Sequence, residues 1–189
     1  MIQLRPYQAE IAGAVRRAYR QGYLAPLLVA PCGAGKTVLF SFIASQAAAK
    51  ANRTLILVHR QELLSQTSAT LSRFDVEHGI IAPGAEETDD LVQVASVQTL
   101  VRRLGRMEWQ PSLIVADEAH HVTQETGHGK VLAHFADAKV LGVTATPERL
   151  DGKGLGIQAG GFFDALVMGP SVAALVEQGY LSRPVVYAP

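Results

Sequence analysis

Eight consecutive residues, Ala30-Pro31-Cys32-Gly33-Ala34-Gly35-Lys36-Thr37, have the types and spacing to hold a polyphosphate. Gly33 and Gly35 let the backbone turn tightly and point its N–H groups inward. Those donors, with the positive end of a following helix, suit phosphate oxygens. Lys36 would reach the β- and γ-phosphates, and the Thr37 hydroxyl would bind Mg²⁺. The loop departs from the pattern G-x-x-x-x-G-K-[ST] in carrying Ala30 at the first position. A second group, Asp117-Glu118-Ala119-His120, comes after the apolar run Leu113-Ile114-Val115-Ala116. An acid at the tip of a buried strand is costly unless it is solvated or holds a metal. Asp117 is therefore expected to hold Mg²⁺ opposite Thr37. Glu118 is expected to orient the water attacking the γ-phosphate and accept its proton. Either acid alone could cap the next helix; a pair downstream of a phosphate loop asks for more than capping.

These groups need elements to position them. Leu27-Leu28-Val29 precedes the loop and an apolar-rich stretch, residues 38–51, succeeds it, which reads strand, loop, helix. Pro6 suits a first helical turn, and Tyr7, Ile11, Val15 and Ala18 share one face of a helix over residues 6–20, stopped by Gly22. Arg16, Arg17 and Arg20 fall on its other, solvated face. Thr54-Leu55-Ile56-Leu57-Val58 is a continuous apolar run, as in a parallel strand buried on both faces. Further strands are expected at 79–82, 91–95, 113–116 and 140–143, and helices at 35–50, 60–74, 97–104, 130–138 and 171–178. Residues 148–161 read as a mobile surface loop, and 185–187 as a last strand or a linker. Strands alternating with helices specify an α/β fold, a mostly parallel sheet with helices on both faces. Ligands bind such sheets beyond the carboxyl ends of the strands. Each polar motif falls at such an end.

With 189 residues the chain is about one domain long. Hydrophobic content of 48% and charged content of 18% fit a globular protein. Lys+Arg and Asp+Glu are equal at 17 each, so any nucleic-acid surface must be local and partly neutral in its contacts. No run has the length of a membrane span, and the N-terminus has no apolar signal core, so no membrane partner is expected. A single cysteine, Cys32, fits a reducing, cytoplasmic setting, where a small residue suits the loop. His121, His128 and His134 lack ligand-like spacing, so no zinc site is assigned.

Six motifs in register resemble the first RecA-like lobe of a superfamily-two helicase of the DEAD/DEAH-box type. Leu4-Arg5-Pro6-Tyr7-Gln8 resembles the adenine-reading Q motif, and residues 30–37 resemble motif I, where Ala at the first position is common. Val58-His59-Arg60-Gln61-Glu62-Leu63 resembles motif Ia, and Ala95-Ser96-Val97-Gln98-Thr99 motif Ib. Asp117-Glu118-Ala119-His120 resembles motif II, and Val143-Thr144-Ala145-Thr146-Pro147 motif III. The resemblance implies ATP and Mg²⁺ as cofactors, with Arg5, Gln8, Pro31, Cys32, Gly33, Ala34, Gly35, Lys36 and Thr37 around the nucleotide. It makes Lys36, Asp117, Glu118 and His120 catalytic, with Thr37 and Asp117 on the metal. It implies that Arg60, Ser96, Gln98, Thr99 and Arg102 contact one nucleic-acid strand, and that Thr144 and Thr146 couple the two sites through His120. The stretch 147–155 resembles the segment after motif III in bacterial and phage helicases of DNA repair, which favours DNA over RNA. Family members carry a second RecA-like lobe with motifs IV to VI and an arginine finger; residues 1–189 show no such set, so they are expected to be one ATP-binding domain of a larger protein. The competing expectations are an RNA helicase, a nucleotide-binding regulatory module without turnover, and a metabolic phosphate-loop kinase. Intact Glu118 argues against the second, and the motif Ia, Ib and III residues have no role in the third.

Overall fold

The computed structural model describes residues 3–147, 152 and 154–183. Seven strands, β1 (Pro26–Val29), β2 (Thr54–Val58), β3 (His78–Ile81), β4 (Val92–Ser96), β5 (Leu113–Asp117), β6 (Lys139–Thr144) and β7 (Ala165–Met168), form one sheet in the order β3-β4-β2-β5-β6-β1-β7. Every strand pair is parallel. The helices are α1 (Pro6–Arg20), α2 (Lys36–Ala48), α3 (Gln61–Arg73), α4 (Val97–Arg103), α5 (Gly127–His134) and α6 (Val172–Glu177).

The sheet is buried on both faces because its strands carry apolar residues at odd and even positions alike. Along β2, Ile56 and Val58 enter one core with Leu39, Phe40, Leu64 and Leu71 from α2 and α3. Leu55 and Leu57 enter the opposite core with Leu100, Val131, Leu132 and Phe135 from α4, α5 and its end. Both faces of a parallel strand are thereby covered by crossover helices, which holds the carboxyl ends in one rim.

Several expected bounds shift by one or two residues, and three readings change. The helix expected at 130–138 runs instead from Gly127 to His134. Two glycines in its first turn hid the start, yet both are packing requirements. A side chain at Gly127 would strike Val97, and one at Gly129 would strike the Thr123 backbone. Thr126 caps the helix, its hydroxyl accepting from the Gly129 N–H at 3.4 Å. Strand β7 was not expected. It lies at the sheet edge with only Val167 fully buried, so it lacks the long apolar run that marks the central strands. Within the segment read as a mobile loop, Leu155 is buried, and Gly156 forms a bridge with Phe163. Residues 148–151, 153 and the expected strand at 185–187 lie outside the described residues.

Gly129 sets how closely α5 approaches the 119–126 turn behind motif II. Gly129→Ala is expected to destabilise the fold by about 1–3 kcal/mol, the usual cost of overpacking, read as a lower urea midpoint at unchanged slope.

Candidate nucleotide site and rim

Sheet order decides which motifs meet. β6 lies between β1 and β5, with Val29 opposite Thr144 and Asp117 opposite Val143. The Ala30 N–H bonds the Thr144 carbonyl at 3.0 Å. Thr144 is thus wedged between the start of the phosphate loop and the acid of motif II.

The loop turns on two left-handed glycines, Gly33 at φ 81° and Gly35 at φ 73°. Gly35 is also the N-cap of α2, so the loop runs straight into a helix N-terminus. A Cβ at Gly35 would lie 2.6 Å from Gln8 Nε2, and one at Gly33 would lie 2.7 Å from Leu181. Only glycine satisfies both the dihedral and the close approach. The Lys36 ammonium donates to the carbonyls of Ala30 and Pro31 at 3.3 and 3.5 Å, which holds its charge inside the curl of the loop. Cys32 is exposed, with Pro31, Lys36 and Thr37 half-buried and Ala34 buried.

The Q-motif residues grip this loop from α1. Gln8 Nε2 donates to the Ala34 carbonyl at 3.1 Å, and the Tyr7 hydroxyl donates to the same oxygen at 2.9 Å. Gln8 Oε1 accepts from the Arg5 N–H at 3.0 Å. One Gln8 N–H and one lone pair remain for a base edge. The Arg5 guanidinium lies 5.0 Å over the Tyr180 ring, which meets the Tyr7 ring edge-on at 5.1 Å. Tyr7, Tyr180 and Leu181 are contacts around the nucleotide loop that sequence reasoning missed; Leu181 meets the loop at Gly33 and Tyr180 meets Tyr7, and for these two the sequence carried no signal, since they lie some 150 residues downstream of the loop.

Asp117 is 5% exposed. Burial pushes its carboxyl up to about 6, against the Glu118 N–H it accepts at 3.0 Å; the Glu118 charge adds to the rise and the Lys36 charge opposes it. The Lys36 charge therefore acts on Asp117, as the pairing of motifs I and II requires. Glu118 has φ 50° in the left-handed region, an unfavourable conformation for a residue with a Cβ. That twist turns its carboxylate back to His120, whose Nδ1 lies 3.3 Å from Glu118 Oε2 and 3.1 Å from Thr144 Oγ1. The Thr144 hydroxyl donates to the Thr146 carbonyl at 2.9 Å and accepts from the Thr146 N–H at 3.1 Å. Both Thr144 and Glu118 thus lie within hydrogen-bond or ion-pair reach of His120 Nδ1.

The expected strand-contacting residues sit elsewhere on the rim. Val58 and Ser96 are register partners, so motifs Ia and Ib leave adjacent strands side by side. Arg60, Gln98 and Arg102 are exposed, and Ser96 and Thr99 half-buried. Ser96 holds the N-cap position of α4, but its side chain makes no capping bond. They stand apart from the phosphate loop, with β5 and the motif II turn between. Among the described residues, no three His, Cys, Asp or Glu side chains are arranged to hold a metal by themselves. A single buried carboxylate that feels the charge of the loop's Lys36 instead fits Mg²⁺, which keeps waters and takes substrate phosphate oxygens. Among the described residues, no helix is long and apolar enough to cross a membrane.

Fold and site together define the first RecA-like lobe of a superfamily-two helicase. Residues 1–149 match the family model described as type III restriction enzyme, res subunit, and the chain belongs to that family. It is 34% identical over 198 residues to the putative ATP-dependent helicase IRC3 of Saccharomyces cerevisiae, covering 94% of this chain and 28% of that protein. It is 34% identical over 156 residues to the DNA 3'-5' translocase XPB2 of Sulfurisphaera tokodaii, covering 80% of this chain and 33% of that one. The chain thus spans about a third of the length of these relatives. Among solved structures, the helicase domain of Pyrococcus furiosus Hef superposes with TM-score 0.69 at 24% identity, over 88% of this chain and 38% of that chain. A nuclease-deletion mutant of the type ISP restriction-modification enzyme LlaGI, bound to a DNA substrate mimic, superposes with TM-score 0.72 at 16% identity, over 95% of this chain and 21% of that chain.

Asp117 ionises at a cost to the fold. A carboxyl raised from 3.8 to about 6 binds more protons folded than unfolded, so its contribution to stability is lost as pH rises between those values. Asp117→Asn is expected to raise the melting temperature of the nucleotide-free protein at pH 8, by an amount equivalent to roughly 2–3 kcal/mol, and to change it little at pH 4. Calorimetry at the two pH values checks the sign.

Proposed function

We propose that this chain is the ATP-binding lobe of a DNA-dependent ATPase motor, a helicase or translocase that couples hydrolysis to movement on DNA. The observation that carries this reading is the hydrogen-bonded run from Glu118 through His120 to Thr144 and Thr146, set one strand from the phosphate loop. A pure nucleotide binder has no use for a base tied to the next motif. Relatives at 34% identity bear the printed names of an ATP-dependent helicase and a DNA translocase, which supports ATP as the nucleotide and DNA as the track.

The loop N–H groups and Lys36 would bind the triphosphate tail, and Gln8 would select the adenine edge with its remaining donor and acceptor. Thr37 and Asp117 would hold Mg²⁺, which neutralises charge on the phosphate oxygens. Glu118 would orient the attacking water and take its proton, with His120 beside it. Arg60, Ser96, Gln98, Thr99 and Arg102 would track one strand through phosphate and sugar contacts, which suits a chain of zero net charge. A second RecA-like lobe would close the nucleotide from the other side with an arginine finger, worth about 10³–10⁵ in rate.

Lys36→Ala is expected to abolish most affinity for a fluorescent ATP analogue in a direct titration; unchanged affinity would remove the loop as the phosphate site. Joined to a second lobe, the Glu118→Gln chain is expected to bind ATP normally and lose DNA-stimulated turnover by roughly 10²–10⁴-fold. Residues 1–189 alone are expected to bind Mg·ATP weakly and to hydrolyse it near background, with or without single-stranded DNA. Robust turnover by this chain as a monomer would overturn the two-lobe reading.

A further inference from the structure

A cavity of about 350 Å³ opens near the β3 edge of the sheet, between the end of α4 and the loop that joins β3 to β4. Three strands, β2, β5 and β6, separate β4 from β1 and the phosphate loop behind it, so the cavity is separate from the nucleotide rim. Ile81, Gln93 and Trp109 are its buried lining, with Met107 half-buried beside them. Its mouth is charged, and Glu87, Arg106 and Glu108 stand exposed there. A volume of this size lies at the small end of the range for small-molecule sites.

Gln93 gives the cavity its chemistry. The residue is 2% exposed. Its Nε2 donates to the Thr88 carbonyl at 2.9 Å, the Thr88 hydroxyl at 3.1 Å and the Asp90 carbonyl at 3.4 Å. Two of these acceptors are backbone carbonyls, which fixes the nitrogen end of the amide and spends its protons. Gln93 Oε1 accepts no hydrogen bond among the described residues, and a buried amide oxygen without a donor is costly. Room for the amide comes from β3, where a side chain at Gly79 would strike both Gln93 and Thr88. The neighbouring protons are also spent: the Thr88 hydroxyl donates to the Asp90 carboxylate at 2.6 Å, and Trp109 Nε1 donates to the Asp90 carbonyl at 3.2 Å. That bond, and the Arg53 guanidinium 5.7 Å from the ring centroid, hold the indole in place. The depth of the cavity thus offers an acceptor beside an aromatic wall. At the mouth, Glu87 pairs with Arg103 at 3.3 Å and with Arg106 at 3.0 Å. The Arg106 and Glu87 side chains are 67% and 68% exposed, so an anion that suits the guanidinium fork can replace this pair at little cost.

We propose that this cavity binds a nucleotide through a base that carries an exocyclic amino group, with the amino N–H on Gln93 Oε1, the ring against Trp109 and the phosphate at Arg106. The site goes beyond the motor reading and does not rest on it. An amino group donates and asks for nothing in return, and adenine and cytosine present one at the edge that pairs. Uracil and thymine put a carbonyl there. Their one N–H at that edge lies between two carbonyl oxygens, for which Thr88 and Trp109 have no proton left. Stacking of a base on an aromatic side chain supplies affinity that any base can use, so the choice among bases falls to Gln93. The base has two sources of the same chemistry, a free nucleotide or an unpaired base of a strand. For the second, α4 carries Gln98, Thr99 and Arg102 from the rim and ends at Arg103 on the cavity.

Trp109 is the one tryptophan of the 189-residue chain, so intrinsic tryptophan fluorescence reports on this cavity. The chain is titrated with deoxycytidine monophosphate and with deoxyuridine monophosphate, which differ only at the pairing edge of the ring. The cytosine nucleotide is expected to quench Trp109 and to bind at least about fivefold tighter than the uracil one. Gln93→Leu should bring that ratio close to one. If Gln93→Leu lowers the melting temperature, Arg106→Ala, at an exposed side chain, tests the other end of the ligand. It should weaken the cytosine nucleotide by about threefold or more and leave deoxycytidine, which has no phosphate, within about twofold. Oligodeoxycytidylate and oligodeoxyuridylate are titrated in parallel. Quenching by the free cytosine nucleotide and not by oligodeoxycytidylate assigns the free nucleotide as the source. Quenching by oligodeoxycytidylate in preference to oligodeoxyuridylate assigns a strand base, and either result supports the site. An unquenched Trp109 with both cytosine ligands, an equal response to cytosine and uracil, a preference that survives Gln93→Leu, or a nucleotide affinity untouched by Arg106→Ala would overturn it. None of these failures touches the motor reading, which stands on ATP binding at Lys36 and on turnover with DNA.

Discussion

The buried carboxylate of Asp117 is the constraint on which the rest of the site depends. An acid at the end of a strand covered on both faces is disfavoured in its charged form. The fold retains it by turning the next N–H onto it and by setting the Lys36 charge near it. Turning that N–H inward is coupled to the left-handed backbone at Glu118, and that backbone brings the Glu118 carboxylate to His120. Strain, desolvation and an unsatisfied charge thus converge on four residues. Such concentration is the mark of a site built for a ligand charge not supplied by the protein.

Sheet order converts this local arrangement into a network. Placing β6 between β1 and β5 puts one small hydroxyl, Thr144, against both the phosphate loop's start and the motif II turn. A valine there would keep the strand and lose the bond to His120. Placing β2 and β4 on the other side of β5 puts Arg60 and Ser96 on a neighbouring stretch of the same rim. The proposed nucleotide and strand surfaces are therefore separate but share one scaffold, with the motif II turn between them.

The nucleotide loop is gripped from two distant parts of the chain. Tyr7 and Gln8 bond the same carbonyl of Ala34, and Leu181 packs where a side chain at Gly33 would stand. Tyr180, beside Leu181, closes over Tyr7 and Arg5. The conformation of the loop is consequently tied both to the first helix and to the segment leaving α6.

The class of fold was legible along the chain, and so was the gathering of the polar motifs at one rim of the sheet. Apolar runs such as 54–58 and 113–116 could only be strands buried on two faces, and a glycine loop before a helix could only present N–H groups. Asp117, Glu118, Lys36 and Thr37 were legible as candidates because the proposed chemistry requires those residue types at that spacing. Expected partners also held for His120 and Thr144, where a family pattern and a hydroxyl pointed to each other. Other features arise from contacts that spacing does not encode. β7 was invisible because an edge strand buries too little to need a continuous apolar run. The start of α5 was hidden because Gly127 and Gly129 read as breakers, when close packing against Val97 and Thr123 requires them. The contact between the His59 and His121 rings was hidden because they lie some sixty residues apart and became neighbours only when β2 and β5 paired in register. Local propensity is written along the chain, whereas contact between strand ends depends on sheet order, and sheet order is settled by burying two faces at once.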